Sequence, residues 1–331
     1  AENGREWGWG SALSIGMYVT GAIGIVWFIL AERAAGDEAI LPLKLFKSST
    51  FTWATIVGVI VGIGMFGGMM TLPLLLQIVN GVGATESGFL MLPMVLGMMT
   101  ASIVSGTVTG KTGKYKIFMV LGTGMLMTGY ISLFGYHYDT PIWVMSLSMV
   151  VIGMGLGQLM QTLTLAAQNS VDAKDIGVAT SSTMFFRQMG GTLGVAVFIS
   201  ILFNRLPEAI KDALKQDDVK TGMADAAKEY IAGAMTGKYE LTDPNVEFIK
   251  DSLTNPSSLA DKMSADASFL SNLDERLSRP FLMGFADSAV LVFEWAAAVV
   301  AVAFVMSWFI KVSPLRDKSA AAESAAASQA H

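Results

Sequence analysis

Seven mainly apolar runs follow one another along the chain, at 11–30, 54–79, 88–109, 117–136, 141–167, 178–203 and 281–310. A helix rises 1.5 Å per residue, so about 20 apolar residues cross the roughly 30 Å hydrocarbon core of a bilayer. Runs of this length, rich in Gly, Ala and Met, do not read as buried strands. The pattern predicts an all-α integral membrane bundle of about seven transmembrane helices. The one sizeable polar stretch lies between the sixth and seventh runs, at 204–280. Helical amphipathic spacing at 206–216 and 223–235, with turns at Asp243-Pro244 and Asn255-Pro256, predicts a small helical cap there. Residues 318–331, rich in Ala and Ser, read as a disordered tail.

Charge orients these runs. The connections after the first, third, fifth and seventh carry Arg33, Lys44 and Lys47; Lys111, Lys114 and Lys116; Lys174; and Lys311, Arg316 and Lys318. The connections at 80–87 and 137–140 carry no Lys or Arg. Cytoplasmic loops hold the basic excess, and long loops are exempt from that rule. The chain is therefore expected to start outside and end inside, with 204–280 outside. Five segments follow: 1–50, a linker transmembrane helix and cytoplasmic loop; 51–203, five helices of a bundle; 204–280, a large extracytoplasmic loop; 281–311, the last transmembrane helix; and 312–331, a cytoplasmic tail.

Composition narrows the chemistry. The chain is 53% hydrophobic and 15% charged, against about a quarter charged in soluble domains. Net charge is −5, and 204–280 alone holds ten Lys/Arg against fourteen Asp/Glu, so no basic excess points to nucleic acid. There is no cysteine, and the histidines are His137 and His331. No cluster has metal or acid–base spacing, so the reading is a membrane protein that is not an enzyme and needs no cofactor.

A few polar residues stand inside the apolar runs. Arg187 should face protein or a water-filled cavity, because a cation inside a span costs about 2.5–3.5 kcal/mol on insertion scales. Glu294 lies near the middle of the last run and Asp287 two turns earlier, on the same helix face. Carboxyl groups in a dehydrated cavity exchange protons near neutral pH, which makes both candidates for proton coupling or for attracting a cation. Gln158 and Gln161, one turn apart, and Gln77 are candidates for a polar pathway. Gly190, Gly191 and Gly194 suit close helix packing. Methionines and aromatics such as Met65, Phe66, Met69, Met70, Met184, Phe185 and Phe186 suit an adaptable apolar pocket. Pro73 and Pro93 are expected to kink their helices.

The third connection reads Gly106-Thr107-Val108-Thr109-Gly110-Lys111-Thr112-Gly113-Lys114. It resembles the second copy of the loop motif of the major facilitator superfamily, Gly-x-x-x-Asp-Arg-x-Gly-Arg, with Gly110 standing where the motif has aspartate. The stretch from Ile176 to Gly194, with Arg187-Gln188-Met189-Gly190-Gly191-Thr192-Leu193-Gly194, is similar to the fourteen-helix drug:proton antiporters of the EmrB/QacA type. The segments 40–46, 72–77, 88–93 and 153–157 agree with it. This resemblance implies that the first helix is a linker, that the other six form the C-terminal bundle, and that an N-terminal bundle with the principal coupling acid belongs to the same chain. It further implies proton-coupled export of lipophilic or cationic small molecules by alternating access. Protons and the lipid bilayer are then partners, and the location is the plasma membrane, the inner membrane of a bacterium. Two alternatives remain open: export of a dedicated natural product, lipid or siderophore, and a sensor that uses the 204–280 loop.

Overall fold

The computed structural model describes residues 10–35, 43–240, 242–254, 270 and 272–310. Ten α-helices carry the described chain: α1 (Ala12–Ala35), α2 (Ser49–Ile78), α3 (Ala84–Leu90), α4 (Leu92–Thr112), α5 (Tyr115–Ile131), α6 (Ile142–Asn169), α7 (Ile176–Ala213), α8 (Asp217–Met235), α9 (Pro244–Thr254) and α10 (Glu275–Ser307). Six helical segments are long and apolar enough to cross a membrane, α3 and α4 counting together as one. α5, which falls within the apolar run at 117–136, is a shorter helix of 17 residues and is not among those six. Its end tightens into i→i+3 turns, from Leu133 N–H to the Tyr130 carbonyl and from Tyr136 N–H to that of Leu133, which carry Leu133 and Tyr136 into the core.

The two prolines behave differently. α2 stays helical through Pro73. At Pro93 the helix breaks, and Met91 ends α3 and begins α4. Pro93 has no N–H to donate to the carbonyl four residues back, and it occupies the first turn of α4, where that bond is not needed.

Glycines decide how the bundle packs. α2 and α7 run parallel. A side chain at Gly62 would strike the Arg187 carbonyl, one at Gly190 the Val59 carbonyl and one at Gly194 the Ile63 carbonyl. α4 and α6 form a second parallel pair, in which Gly153 and Gly157 meet the Met94 and Met98 carbonyls and Gly97 lies against Val150. Lipid offers no hydrophobic drive between apolar helices, so such pairs hold by backbone-close van der Waals packing that only small residues permit. α5 crosses α6 at Gly122, Gly129 and Gly155. α10 closes the group against α2, α5 and α7. Here the buried Tyr130 hydroxyl donates to the Gly64 carbonyl at 2.7 Å, and the Tyr130 ring stacks on Phe293.

α7 has 38 residues and α10 has 33. At 1.5 Å per residue they are roughly 57 and 50 Å long, more than a bilayer core needs. The amphipathic spacing at 206–216 is largely the continuation of α7, and α10 starts six residues before the apolar run at 281. Together they rise past the bundle, and α8 and α9 pack against this extension. Ala226, Phe248, Ile249, Leu270, Leu277 and Phe281 form a small apolar core there. The tail at 318–331 and the turn at 255–256 lie outside the described residues. α1 exposes most of its surface, with Trp27 74% exposed.

Candidate functional site

One end of the bundle is basic. α4 ends on Gly113, whose φ of 72° is the left-handed cap that glycine takes without strain, and its N–H donates to the Thr109 carbonyl at 2.8 Å. Lys111 and Lys114 are exposed beside it. Lys116 reaches across to the Trp308 carbonyl at 2.7 Å and ties the start of α5 to the end of α10. Lys44 pairs with Asp175 at 3.7 Å. Gly106 lies against the side chain of Gln161, 3.5 Å from an ideal Cβ. Gly110 meets nothing within 4 Å and has no special backbone angle, so no steric demand for glycine acts there.

Arg187 sits inside the α2–α7 seam. Its carbonyl touches Gly62, and the residue is only 9% exposed. Its Nη1 is fully buried and has no hydrogen-bond partner among the described residues. Thr55 on α2 is also buried, with an unpartnered Oγ1. Thr55 stands seven residues before Gly62 and so on the same side of α2. Gln188, about 100° around the helix from Arg187, is exposed. Gly190, Gly191 and Gly194 are buried in the seam, Gly191 against the ring of Phe66.

The glutamines part company. Gln158 is buried between α5 and α6, where its Nε2 contacts the Met125 sulfur at 3.1 Å and donates to the Met154 carbonyl at 3.3 Å. Gln168 donates to Thr180 Oγ1 at 2.9 Å and links α6 to α7. Gln77 donates to Ser87 Oγ at 3.1 Å and fastens the turn between α2 and α3. Gln161 alone of these is exposed, on α6. Of the apolar candidates, Met70, Met184 and Phe185 are exposed, Met65 is buried, and Phe66, Met69 and Phe186 are half-buried.

Asp287 and Glu294 share the exposed face of α10, as their spacing implies, but in different surroundings. Asp287 lies at the cap end and pairs with Arg205 of α7 at 3.3 Å; Arg205 also pairs with Glu208 and Asp212. This collar borders a 340 Å³ cleft that Tyr136, His137 and Tyr138 also line. Glu294 is exposed farther along α10, beside Trp295.

The cap is held by a second set of pairs. Arg276 bridges Asp274 and Glu229, each at 2.9 Å, and Arg279 pairs with Asp218 at 2.8 Å and lies over the Tyr138 ring. The Arg276 guanidinium and backbone N–H hold the Asp274 carboxyl down to about 2, well below the usual carboxylate range. Burial, and then the neighbouring Asp274, push the Tyr230 hydroxyl up.

The described residues therefore do not gather the candidates into one enclosed site. They place Arg187 in one helix seam, Gln158 in another, and Gln161 and Glu294 on separate exposed faces. Arg205 and Thr55 carry geometry that the sequence reading did not single out. Arg205 could have been found from its cluster of nearby carboxylates, whereas Thr55 gives no signal among the other hydroxyls of its helix.

Sequence comparison gives this geometry its context. A profile of the Major Facilitator Superfamily matches residues 4–195. A tetracycline resistance determinant of Streptomyces rimosus is 31% identical over 311 residues, covering 94% of this chain and 86% of that protein. The multidrug transporter protein MdtP of Bacillus subtilis is 32% identical over 317 residues, or 96% of this chain. An uncharacterized MFS-type transporter of Mycobacterium tuberculosis is 31% identical over 314 residues, or 95% of this chain. The chain spans 56% of the Bacillus protein and 40% of the Mycobacterium protein.

Proposed function

Because this chain belongs to the Major Facilitator Superfamily, we propose that it serves in proton-coupled export of hydrophobic and cationic compounds by alternating access. It is a multi-pass protein of the plasma membrane and a transporter, not an enzyme. The observation that carries the export reading is similarity across 94% and 96% of its length to proteins named for tetracycline resistance and multidrug transport. In this reading α1 is a linker helix, and α2, α4, α5, α6, α7 and α10 are one rocking bundle that moves against a second. The glycine-locked pairs α2–α7 and α4–α6 suit it to move as a rigid body. The basic end, with Lys44, Lys111 and Lys114, faces the cytoplasm by the positive-inside rule, and the cap faces outward.

Among the candidates, Glu294 and Gln161 are exposed and so accessible to a proton or a cargo molecule. Gln158 and Gln77 have their amides engaged in packing contacts and act as helix fasteners. Glu294 is the residue we assign to proton exchange within this chain, because a carboxyl group at mid-span is costly unless it is used.

Accumulation of ethidium in cells that express the protein at full length tests the proposal. Expression should lower accumulation several-fold, collapse of the proton gradient should restore it, and Glu294→Gln should weaken the proton dependence at equal protein level. The proposal is wrong if no lipophilic cation in a panel of structurally unrelated dyes shows gradient-dependent efflux.

A further inference from the structure

A guanidinium keeps its charge under all ordinary conditions and only donates hydrogen bonds, so a buried Arg calls for acceptors. Arg187 has none among the described residues, although it is 9% exposed and its Nη1 is fully buried. The helices around it cannot supply a counter-charge. α2, α4, α5 and α6 contain no Asp or Glu, and α7 has none before Glu208. On α10, Asp287 is taken by Arg205 and Glu294 is exposed.

A second buried group in the same seam lacks a partner. Side chains on a helix lean toward its N-terminus. α2 and α7 are parallel, so the Arg187 side chain leans from the level of Gly62 toward the level of Thr55. Thr55 lies about 10 Å back along α2 at 1.5 Å per residue. Its hydroxyl is buried and also unpartnered. Two buried polar groups that do not satisfy each other, on facing sides of one helix pair, need a group between them that is rich in lone pairs. Gly58 stands between these levels on α2, and a side chain there would meet nothing within 4 Å, so the seam has room at that point. One turn before Arg187, Met184 is 49% exposed and gives the seam an apolar opening.

We infer that Arg187 and Thr55 form a buried anion site in the α2–α7 seam, which takes the carboxylate of a lipophilic organic acid as cargo. The role as cargo rests on the export reading; the anion site does not. The guanidinium supplies two parallel N–H donors to the carboxylate, and the Thr55 hydroxyl supplies a third. The apolar remainder of the ligand lies against the exposed methionine. The protein thus handles organic acids at this seam as well as the cations expected at Glu294.

The test uses the purified full-length protein in lipid nanodiscs, with 1-naphthoate as the probe and neutral 1-naphthamide as its isostere. The wild type should bind naphthoate at least tenfold more tightly than naphthamide. Arg187→Met should abolish that preference while leaving naphthamide affinity unchanged, Arg187→Lys should retain part of it, and Thr55→Val should reduce it about threefold. Equal affinity of the wild type for the two probes overturns the site, as does an undiminished preference in Arg187→Met or no binding of naphthoate at all. If Arg187→Met does not fold, Thr55→Val decides alone, since it removes only an unsatisfied hydroxyl. Ethidium efflux reports separately on transport. A missing preference with intact efflux removes the anion site and leaves the export reading, and the reverse result does the opposite.

Discussion

Arginines at the two levels of this bundle live under opposite rules. At the cap end Arg205, Arg276 and Arg279 each pair with carboxylates, and their side chains are 32–40% exposed, although the Nε of Arg279 is buried without a hydrogen-bond partner among the described residues. In the α2–α7 seam Arg187 is 9% exposed, and its Nη1 has no acceptor among the described residues. Where water reaches, an ion pair forms and breaks at little cost, and several such pairs can join a mobile cap to two rising helices. Where water is excluded, a lone cation is expensive and persists when something outside the immediate packing uses it. The collar is thus a structural clasp built from redundant contacts, and the seam is a place where stability has been given up.

The largest effect should come from filling the seam itself. A side chain at Gly190 would collide with the Val59 carbonyl, and backbone cannot move aside as a side-chain tip can. Overpacking costs typically 1–3 kcal/mol and occasionally more, and a leucine facing backbone belongs at or beyond the top of that range. Gly190→Leu should therefore leave little monodisperse protein on gel filtration. Gly110→Ala, at a position with nothing within 4 Å, should melt within about 0.5 kcal/mol of wild type. Equal behaviour of the two variants would mean that α2 and α7 are not locked as the glycines imply.

Arg187→Met should come next and with the opposite sign. Removing a buried cation that lacks a partner should raise stability in the ligand-free protein by up to about 3 kcal/mol, the insertion cost of the charge. Thermal melts in nanodiscs measure this directly. A clear fall in melting temperature would show that Arg187 is already paired in the resting protein, and the contrast with the collar would vanish.

Much of this architecture was legible because lipid simplifies the code. Six of the seven apolar runs became helices long and apolar enough to cross a membrane, since a backbone inside a bilayer has to satisfy its own hydrogen bonds. The glycines at 190, 191 and 194 announced close packing, and Arg187 announced its burial. The partner of each residue was not legible. That Gly62 receives the Arg187 carbonyl, or that Lys116 caps the end of α10 through Trp308, depends on helices brought together from distant parts of the chain. The outer ends of α7 and α10 were also hidden, because outside the hydrocarbon a helix needs no apolar run to continue. The partner of Asp287 was not legible either, because Arg205 lies on another helix.

The clasp can be loosened through Asp274. Its carboxyl is held down to about 2 by Arg276, below the unfolded value of about 3.9. A depressed folded value stabilises the cap fully above about pH 4, and that contribution is lost as pH falls through 4 toward 2. Amide exchange in α8 and α9 should accelerate over that interval in the wild type. In Asp274→Asn it should be faster already at pH 6 and change less on acidification. The shift should amount to about 1 kcal/mol, because Arg276 keeps a second partner in Glu229. An unchanged exchange rate in Asp274→Asn at pH 6 would place the cap's stability in its apolar core instead.

The smallest effect should come from Asp287→Asn. Asp287 is 58% exposed and Arg205 is 32% exposed, and Arg205 keeps Glu208 and Asp212 as alternative partners. Exposed pairs contribute about 0.2–1 kcal/mol, and a shared cation makes each pair less necessary than the last. Asp287→Asn should therefore shift the melt by well under 1 kcal/mol, with the remaining shift disappearing in 1 M salt, where charges are screened beyond about 3 Å. A loss of several kcal/mol that survives high salt would mean that the collar is dehydrated in the membrane-embedded protein. Arg205 would then resemble Arg187 in kind, and Asp287 would return as a buried acid able to hold a proton.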